Sequence, residues 1–218
     1  MNVIVVGATG RVGQATVEAL VDRGHKVSAA GRNLDKITES ENVTTVQYDV
    51  NDELENLSKI IDGHDAVIFT AGSRNTDLLK VDAFGVVKTA EAAKRVNVSR
   101  FILLGAKWAS YPKLWTRPDI KESVDQLYDY YIAKYFANNY LMREENLDFT
   151  IIEPDELLDK SGTGTIEINN MSPVGTPIPD VAEVLVESLE NDFTIHRVYT
   201  INDGENPIVE ALNDETID

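Results

Sequence analysis

Residues 7–13 read Gly7-Ala8-Thr9-Gly10-Arg11-Val12-Gly13. They follow the apolar run Val3-Ile4-Val5-Val6 without a break and open a segment with helical spacing. Buried strand, glycine-rich turn and helix, in that order, suit a dinucleotide pyrophosphate. Gly7 takes the chain off the strand at a backbone angle that a side chain resists, Gly10 admits the phosphates close to the backbone, and Gly13 lets the helix pack tightly on the strand. The first-turn amides at Arg11, Val12 and Gly13, with Thr9 beside them and the positive end of the helix dipole behind, then face the diphosphate. A tight turn without a ligand is the plain alternative. Placement between a strand and a helix favours the nucleotide.

Outward from this turn, strand-like runs at 27–30, 43–48, 66–70, 101–104, 149–152 and 198–201 alternate with helical segments. That alternation predicts an α/β fold of Rossmann type: a doubly wound, mostly parallel sheet with helices on both faces, in a single domain over residues 1–218. Leu79, Ala83, Val86, Ala90 and Ala93 form the stripe of an amphipathic helix. Val181, Leu185 and Leu189 form another, after a proline suited to a helix start. The alternation breaks at 108–118, with two tryptophans, two prolines and a tyrosine, and at 154–179, rich in Gly, Pro, Ser and Thr. Both stretches follow the carboxyl ends of strands, where doubly wound sheets bind ligands, so substrate contacts are expected there.

The second strand ends Ala29-Ala30-Gly31-Arg32-Asn33, with an arginine where a site for NAD commonly has an acid. Arg32 therefore points to NADP, its guanidinium meeting the 2′-phosphate, with Arg11 or Lys36 assisting. Asp35 keeps NAD possible. Asp49 and Val50 are placed to meet the adenine, although Asp49 can equally cap the next helix. Thr70, Ala71 and Gly72 are small enough for the cofactor to lie against backbone.

The net charge is −17 over 218 residues. A chain of that sign is repelled by nucleic acid and anionic membrane, and the same field requires local positive charge at any dinucleotide site, for which Arg11 and Arg32 are candidates. No apolar run approaches a membrane span, and no signal peptide is expected ahead of the first strand, so a cytoplasmic monomer or homodimer acting on a small molecule is expected. With no cysteine there is no disulfide or thiolate site. His25, His64 and His196 show no ligand spacing, read as satisfied surface groups, and no metal is expected.

Taken together, GATGRVG, AAGRN, VDAFGVVKTAEAAKRVNVSRFILLGA, LDFTIIEP and IPDVAEVLVESL resemble the atypical branch of the short-chain dehydrogenase/reductase superfamily, in particular flavin reductase/biliverdin reductase B-like NAD(P)H-dependent oxidoreductases. The resemblance covers nearly the whole chain. It implies NADP as cofactor, Pro154 against it, and hydride transfer to a small, often planar, acceptor. Tyr130 and Lys134 match the superfamily's Tyr-x-x-x-Lys pattern and, four residues apart, share a helix face. A lysine cation beside the phenol lowers its pKa, so Tyr130 passes a proton while Lys134 holds the ribose. Two departures stand out: Gly105-Ala106 replaces a common serine pair, with Ser110 further on as a hydroxyl that can reach inward, and Glu153 replaces a common arginine before the proline.

The expected function is an NADP(H)-dependent reductase. A flavin or quinone suits the absent serine, with Trp108, Tyr111 or Trp115 able to stack on a planar ring. The alternative is a non-catalytic NADP-binding redox sensor. A nucleotide-sugar epimerase or dehydratase is disfavoured by the short chain.

Overall fold

The computed structural model describes residues 1–118, 120–170 and 174–214. In chain order the elements are β1 (Asn2–Val6), α1 (Arg11–Asp22), β2 (Lys26–Gly31), β3 (Val43–Gln47), α2 (Leu54–Ile61), β4 (Ala66–Phe69), α3 (Phe84–Arg95), β5 (Arg100–Leu104), α4 (Lys121–Gln126), α5 (Tyr128–Leu141) and β6 (Asp148–Pro154). After these come β7 (Leu157–Leu158), β8 (Thr165–Ile168), β9 (Thr176–Pro177), α6 (Ile178–Glu190), β10 (Arg197–Asp203), β11 (Asn206–Pro207) and α7 (Ile208–Leu212).

Val3 to Val6 are at most 1% exposed. A strand covered on both faces shows a continuous apolar run rather than alternation, and β1 is accordingly an interior strand, paired on both sides by β2 and β4. The sheet runs β11-β8-β10-β6-β5-β4-β1-β2-β3. Every pairing from β3 through β10 is parallel; β8 and β11 add an antiparallel edge. On one face α1, α6 and α7 pack through Val17, Leu20, Val181, Leu185 and Leu212. On the other, α2, α3 and α5 pack through Leu57, Ile61, Val86, Ala90, Ala137 and Leu141. The strand order reverses between β1 and β4, which places the ligand crevice of this architecture beyond their carboxyl ends.

The Rossmann-type doubly wound fold is thus present, with each of the seven expected strands. Two details differ. Leu79 is 72% exposed rather than part of the buried stripe, because Leu78–Ala83 is a π-helical segment. The wider turn rotates the chain by about one residue, so Val81 and Asp82 take the inward positions. The stretch expected to be irregular from 154 to 179 contributes β7, β8 and β9, and its residues 171–173 lie outside the described residues. Thr165-Ile166-Glu167-Ile168 alternates polar and apolar over only four residues, and Ile166 is fully buried against α7 and β10.

Candidate functional site

Gly7 has φ +89°, and a Cβ there would lie 2.5 Å from the amide nitrogen of Ala71. A Cβ on Gly13 would lie 2.2 Å from the carbonyl oxygen of Gly7. These two glycines bring the ends of β1 and β4 and the start of α1 into backbone contact. At Gly10 a Cβ would meet only the Gly7 carbonyl oxygen, at 3.3 Å, so the outer side of the turn is clear. Gly10 is also the cap of α1, where no side chain bonds the first-turn amides and no acidic residue stands. A helix end with neither cap nor acid keeps its donors for an anion. The amides of Arg11, Val12 and Gly13, with room outside Gly10, therefore fit a dinucleotide diphosphate. Thr9 lies beside Gly31, its Cγ2 being 3.5 Å from where a Cβ would be, and this joins the turn to the end of β2.

Arg32, one residue beyond β2, is exposed, and its guanidinium makes no hydrogen bond or ion pair with the described residues. Arg11 is different. Its Nη1 lies 2.7 Å from Asp159 Oδ2, both side chains being more than half exposed, so the turn and the segment after β7 are tied by a surface ion pair. Asp49 accepts from the amide and side-chain nitrogen of Asn51 through Oδ1, each at 3.0 Å. It caps the turn rather than the helix. Val50 is buried, and its side chain would lie 3.0 Å from a Cβ on Gly85. Thr70 donates to the Val6 carbonyl at 3.1 Å, and Gly72 leaves room for the Asp82 carboxylate.

Asp82 is 1% exposed and accepts from the Ser73 amide at 3.0 Å. Its Oδ1 lies 3.8 Å from the Lys134 ammonium. Lys134, also buried, donates to the Leu104 carbonyl at 3.4 Å and sits over the Tyr130 ring, 5.6 Å from its centroid. The nucleotide turn, the end of β4 and the Tyr130–Lys134 pair therefore form a connected series. The expected phenolate is not favoured. Burial, together with the charges of Asp82 and Glu153, pushes the Tyr130 hydroxyl above its ordinary value. Burial lowers Lys134, with Asp82 opposing. With its pKa raised, Tyr130 keeps a neutral hydroxyl that can donate.

Glu153 was legible only as a charge reversal; the structure makes it the centre of a buried network. The residue is fully buried, and Oε1 accepts from the Ser110 amide at 2.8 Å, Ser110 Oγ at 2.7 Å and Asn138 Nδ2 at 2.8 Å. Oε2 accepts from Thr200 Oγ1 at 3.2 Å. Burial pushes the carboxyl up to about 7, against the lowering effect of these donors. Ser110 does reach inward, carried by Trp108, whose φ is +61°. Pro154 is buried at the end of β6, its carbonyl accepting from the Lys107 amide at 3.0 Å.

The aromatic residues of the first loop mainly pack. Trp108 is buried, and Trp115 meets Tyr128, Tyr131 and Tyr135 edge-on, pinning the loop to α5. Of the three proposed for stacking, Tyr111 is the most open. His25 is buried, not at the surface, bonded to Glu190 at 2.8 Å. A groove of about 440 Å³ along Pro118, Lys121, Glu122, Asp125 and Gln126 borders none of the nucleotide-turn residues. No helix among the described residues is long and apolar enough to cross a membrane.

A family described as NAD(P)H-binding matches residues 7–192. The chain belongs to that family. It is 31% identical over 220 residues to the uncharacterized sugar epimerase YhfK of Bacillus subtilis (strain 168), covering 97% of this chain and 99% of that protein. The UPF0659 protein YMR090W of Saccharomyces cerevisiae is 30% identical, with 95% and 96% covered. Among solved structures, the oxidoreductase ylbE from Lactococcus lactis superimposes with a TM-score of 0.91 at 38% identity, covering all of this chain and 96% of that one. The resemblance read from the sequence is thereby upheld as one to NAD(P)H-binding proteins of Rossmann fold, an oxidoreductase among them.

Proposed function

We propose that the protein is an NADP(H)-dependent oxidoreductase acting on a small acceptor beneath the 105–118 and 154–170 segments. One observation carries this reading: the diphosphate turn and the pair of half-buried Tyr130 and buried Lys134 are contiguous through Ala71, Gly72 and Asp82. The reduced dinucleotide, when bound, supplies a hydride. The protein's own groups do the rest. The amides of Arg11 to Gly13 hold the diphosphate, Arg32 selects the 2′-phosphate, Lys134 holds a ribose hydroxyl, and Tyr130 Oη gives a proton to the acceptor. Asp49, Val50, Thr70 and Pro154 line the cofactor's path, and the two segments limit water. A cytoplasmic location, a single folded unit and a monomeric or homodimeric state belong to the same reading.

The epimerase name of YhfK belongs to a chain of matching length, so length does not exclude epimerisation, contrary to the argument from chain size. An epimerase draws on the same turn and the same tyrosine. A redox sensor would need the turn alone.

Calorimetry with NADP and NAD, then NADPH oxidation with flavins, quinones and aldehydes, tests the proposal. Arg32→Ala is expected to weaken NADP roughly ten- to hundredfold while NAD changes little, as for a charged hydrogen bond. Equal loss for both nucleotides contradicts the role of Arg32. Tight NADP binding without turnover of any acceptor favours the sensor.

A further inference from the structure

We propose that Glu153 gates Ser110: in its acid form it frees the Ser110 hydroxyl to donate to the carbonyl oxygen of a small acceptor, and when ionised it keeps that proton for itself. The inference rests on the oxidoreductase reading and assigns it a carbonyl substrate class. It also supplies a hydroxyl to a site whose strand end, Gly105-Ala106, has none.

Three features place the pair. A Cβ on Gly105 would lie 3.0 Å from Glu153 Cγ, so a serine at 105 would crowd the acid; the small residue and the buried carboxyl belong together. Trp108 holds a positive φ of 61°, unusual for a bulky side chain, and this turn carries Ser110 under the loop. Asn138, which bonds both Ser110 Oγ at 3.0 Å and Glu153, stands four residues after Lys134 and eight after Tyr130. All three lie along one side of α5.

Three donors converge on Glu153 Oε1, an oxygen with about two lone pairs. Negative charge sustains that crowding. Among the described residues no cation forms an ion pair with Glu153. A proton on Oε2, facing Thr200, leaves Oε1 an ordinary carbonyl that the Ser110 amide and Asn138 already satisfy. The hydroxyl is the one donor of the three that can rotate away. The titratable neighbours are Tyr130 and Tyr131 on α5 and Tyr111 on the loop, each raised in part by Glu153. Lys107–Asp155, at 2.5 Å, and Lys134–Asp82 are the nearby charged pairs. Burial brings the Glu153 carboxyl up to about 7, where such a gate operates.

The test uses Glu153→Gln, which keeps Oε1 and offers Thr200 a permanent donor, and Ser110→Ala. With NADPH and propanal, wild-type kcat is expected to fall above about pH 7 and the Glu153→Gln profile to stay flat. Ser110→Ala is expected to lose about a hundredfold, the effect of one lost donor to a developing oxyanion. Lys134 is present in every protein compared, so the difference in profile reports Glu153. Infrared titration of the protein without substrate gives a second readout: a neutral carboxyl C=O band that fades through pH 7 and is missing in Glu153→Gln. An ionised Glu153 at pH 6, parallel profiles for wild type and Glu153→Gln, or an undiminished propanal rate in Ser110→Ala each overturn the gate. NADPH binding with quinone reduction but no propanal reduction also overturns it, leaving the oxidoreductase reading intact. Failure to bind either nucleotide ends both.

Discussion

The two halves of the site are built from different material. Around Gly7 and Gly13 it is backbone: open amides, missing Cβ atoms and a helix end without a cap. Around Lys134 and Glu153 it is buried side-chain charge, held by partners tens of residues away, such as Asp82 for Lys134 and Thr200 for Glu153. Steric overlap should break the first half, and changes in charge or protonation the second.

The largest effect is expected at Gly13. A methyl group 2.2 Å from the Gly7 carbonyl oxygen has no flexible neighbour to displace, so Gly13→Ala must shift α1 off the sheet. Roughly 4 kcal/mol of stability should go, and NADP affinity with it. Urea unfolding and calorimetry measure the two. A stable variant that still binds NADP would mean that the close approach is not what shapes the turn.

Next comes the buried pair. Lys134→Met leaves Asp82 with no counter-charge at 1% exposure, which should cost about 3 kcal/mol. Asp82→Asn added to it should restore most of the stability and none of the turnover. If the double variant is no more stable than the single one, the two groups are not coupled, and Lys134 is held by the Leu104 carbonyl and its packing.

These contrasts explain what was legible in the sequence. Val3 to Val6 and Ala66 to Phe69 announce buried strands because a fully covered strand needs only apolar residues, which is a local property. The nucleotide turn is similarly local: three glycines within seven residues between two regular elements. Leu79 misled, because the stripe assumes 3.6 residues per turn and the π segment breaks that count without a marker residue. The tyrosine–lysine spacing located the pair but not its protonation, since Asp82 and Glu153 set that and both arrive from distant segments. Ser110 was visible as a hydroxyl. The positive φ of Trp108 that brings it inside was not, tryptophan being a residue from which no left-handed backbone is expected.

Glu153 gives the third effect, through pH. Its folded pKa of about 7 lies above the ordinary 4.5. The stability that follows from favouring the acid form is therefore complete below about pH 4.5 and is lost as pH rises through 7. Glu153→Gln has no proton to lose. Its advantage over wild type should be small at pH 4.5 and grow to at most ~3 kcal/mol by pH 8. Denaturant midpoints at the two pH values check this, and a pH-independent difference would place the titration elsewhere.

The smallest expected effect probes the seam between the halves. Arg11 belongs to the nucleotide turn, yet its partner Asp159 follows β7, in the segment proposed to cover the acceptor, and the pair is largely solvated. Asp159→Ala should therefore change stability by less than about 1 kcal/mol. It should tighten NADP binding a few-fold at low salt, because the guanidinium is released toward the diphosphate in a protein whose net charge of −17 otherwise opposes an anion. The gain should shrink in high salt as screening weakens both contacts. Arg11→Ala should show the opposite sign. If Asp159→Ala instead weakens NADP at low salt, the ion pair is holding the turn in its binding shape, and the two halves are joined more firmly than a solvated contact would allow.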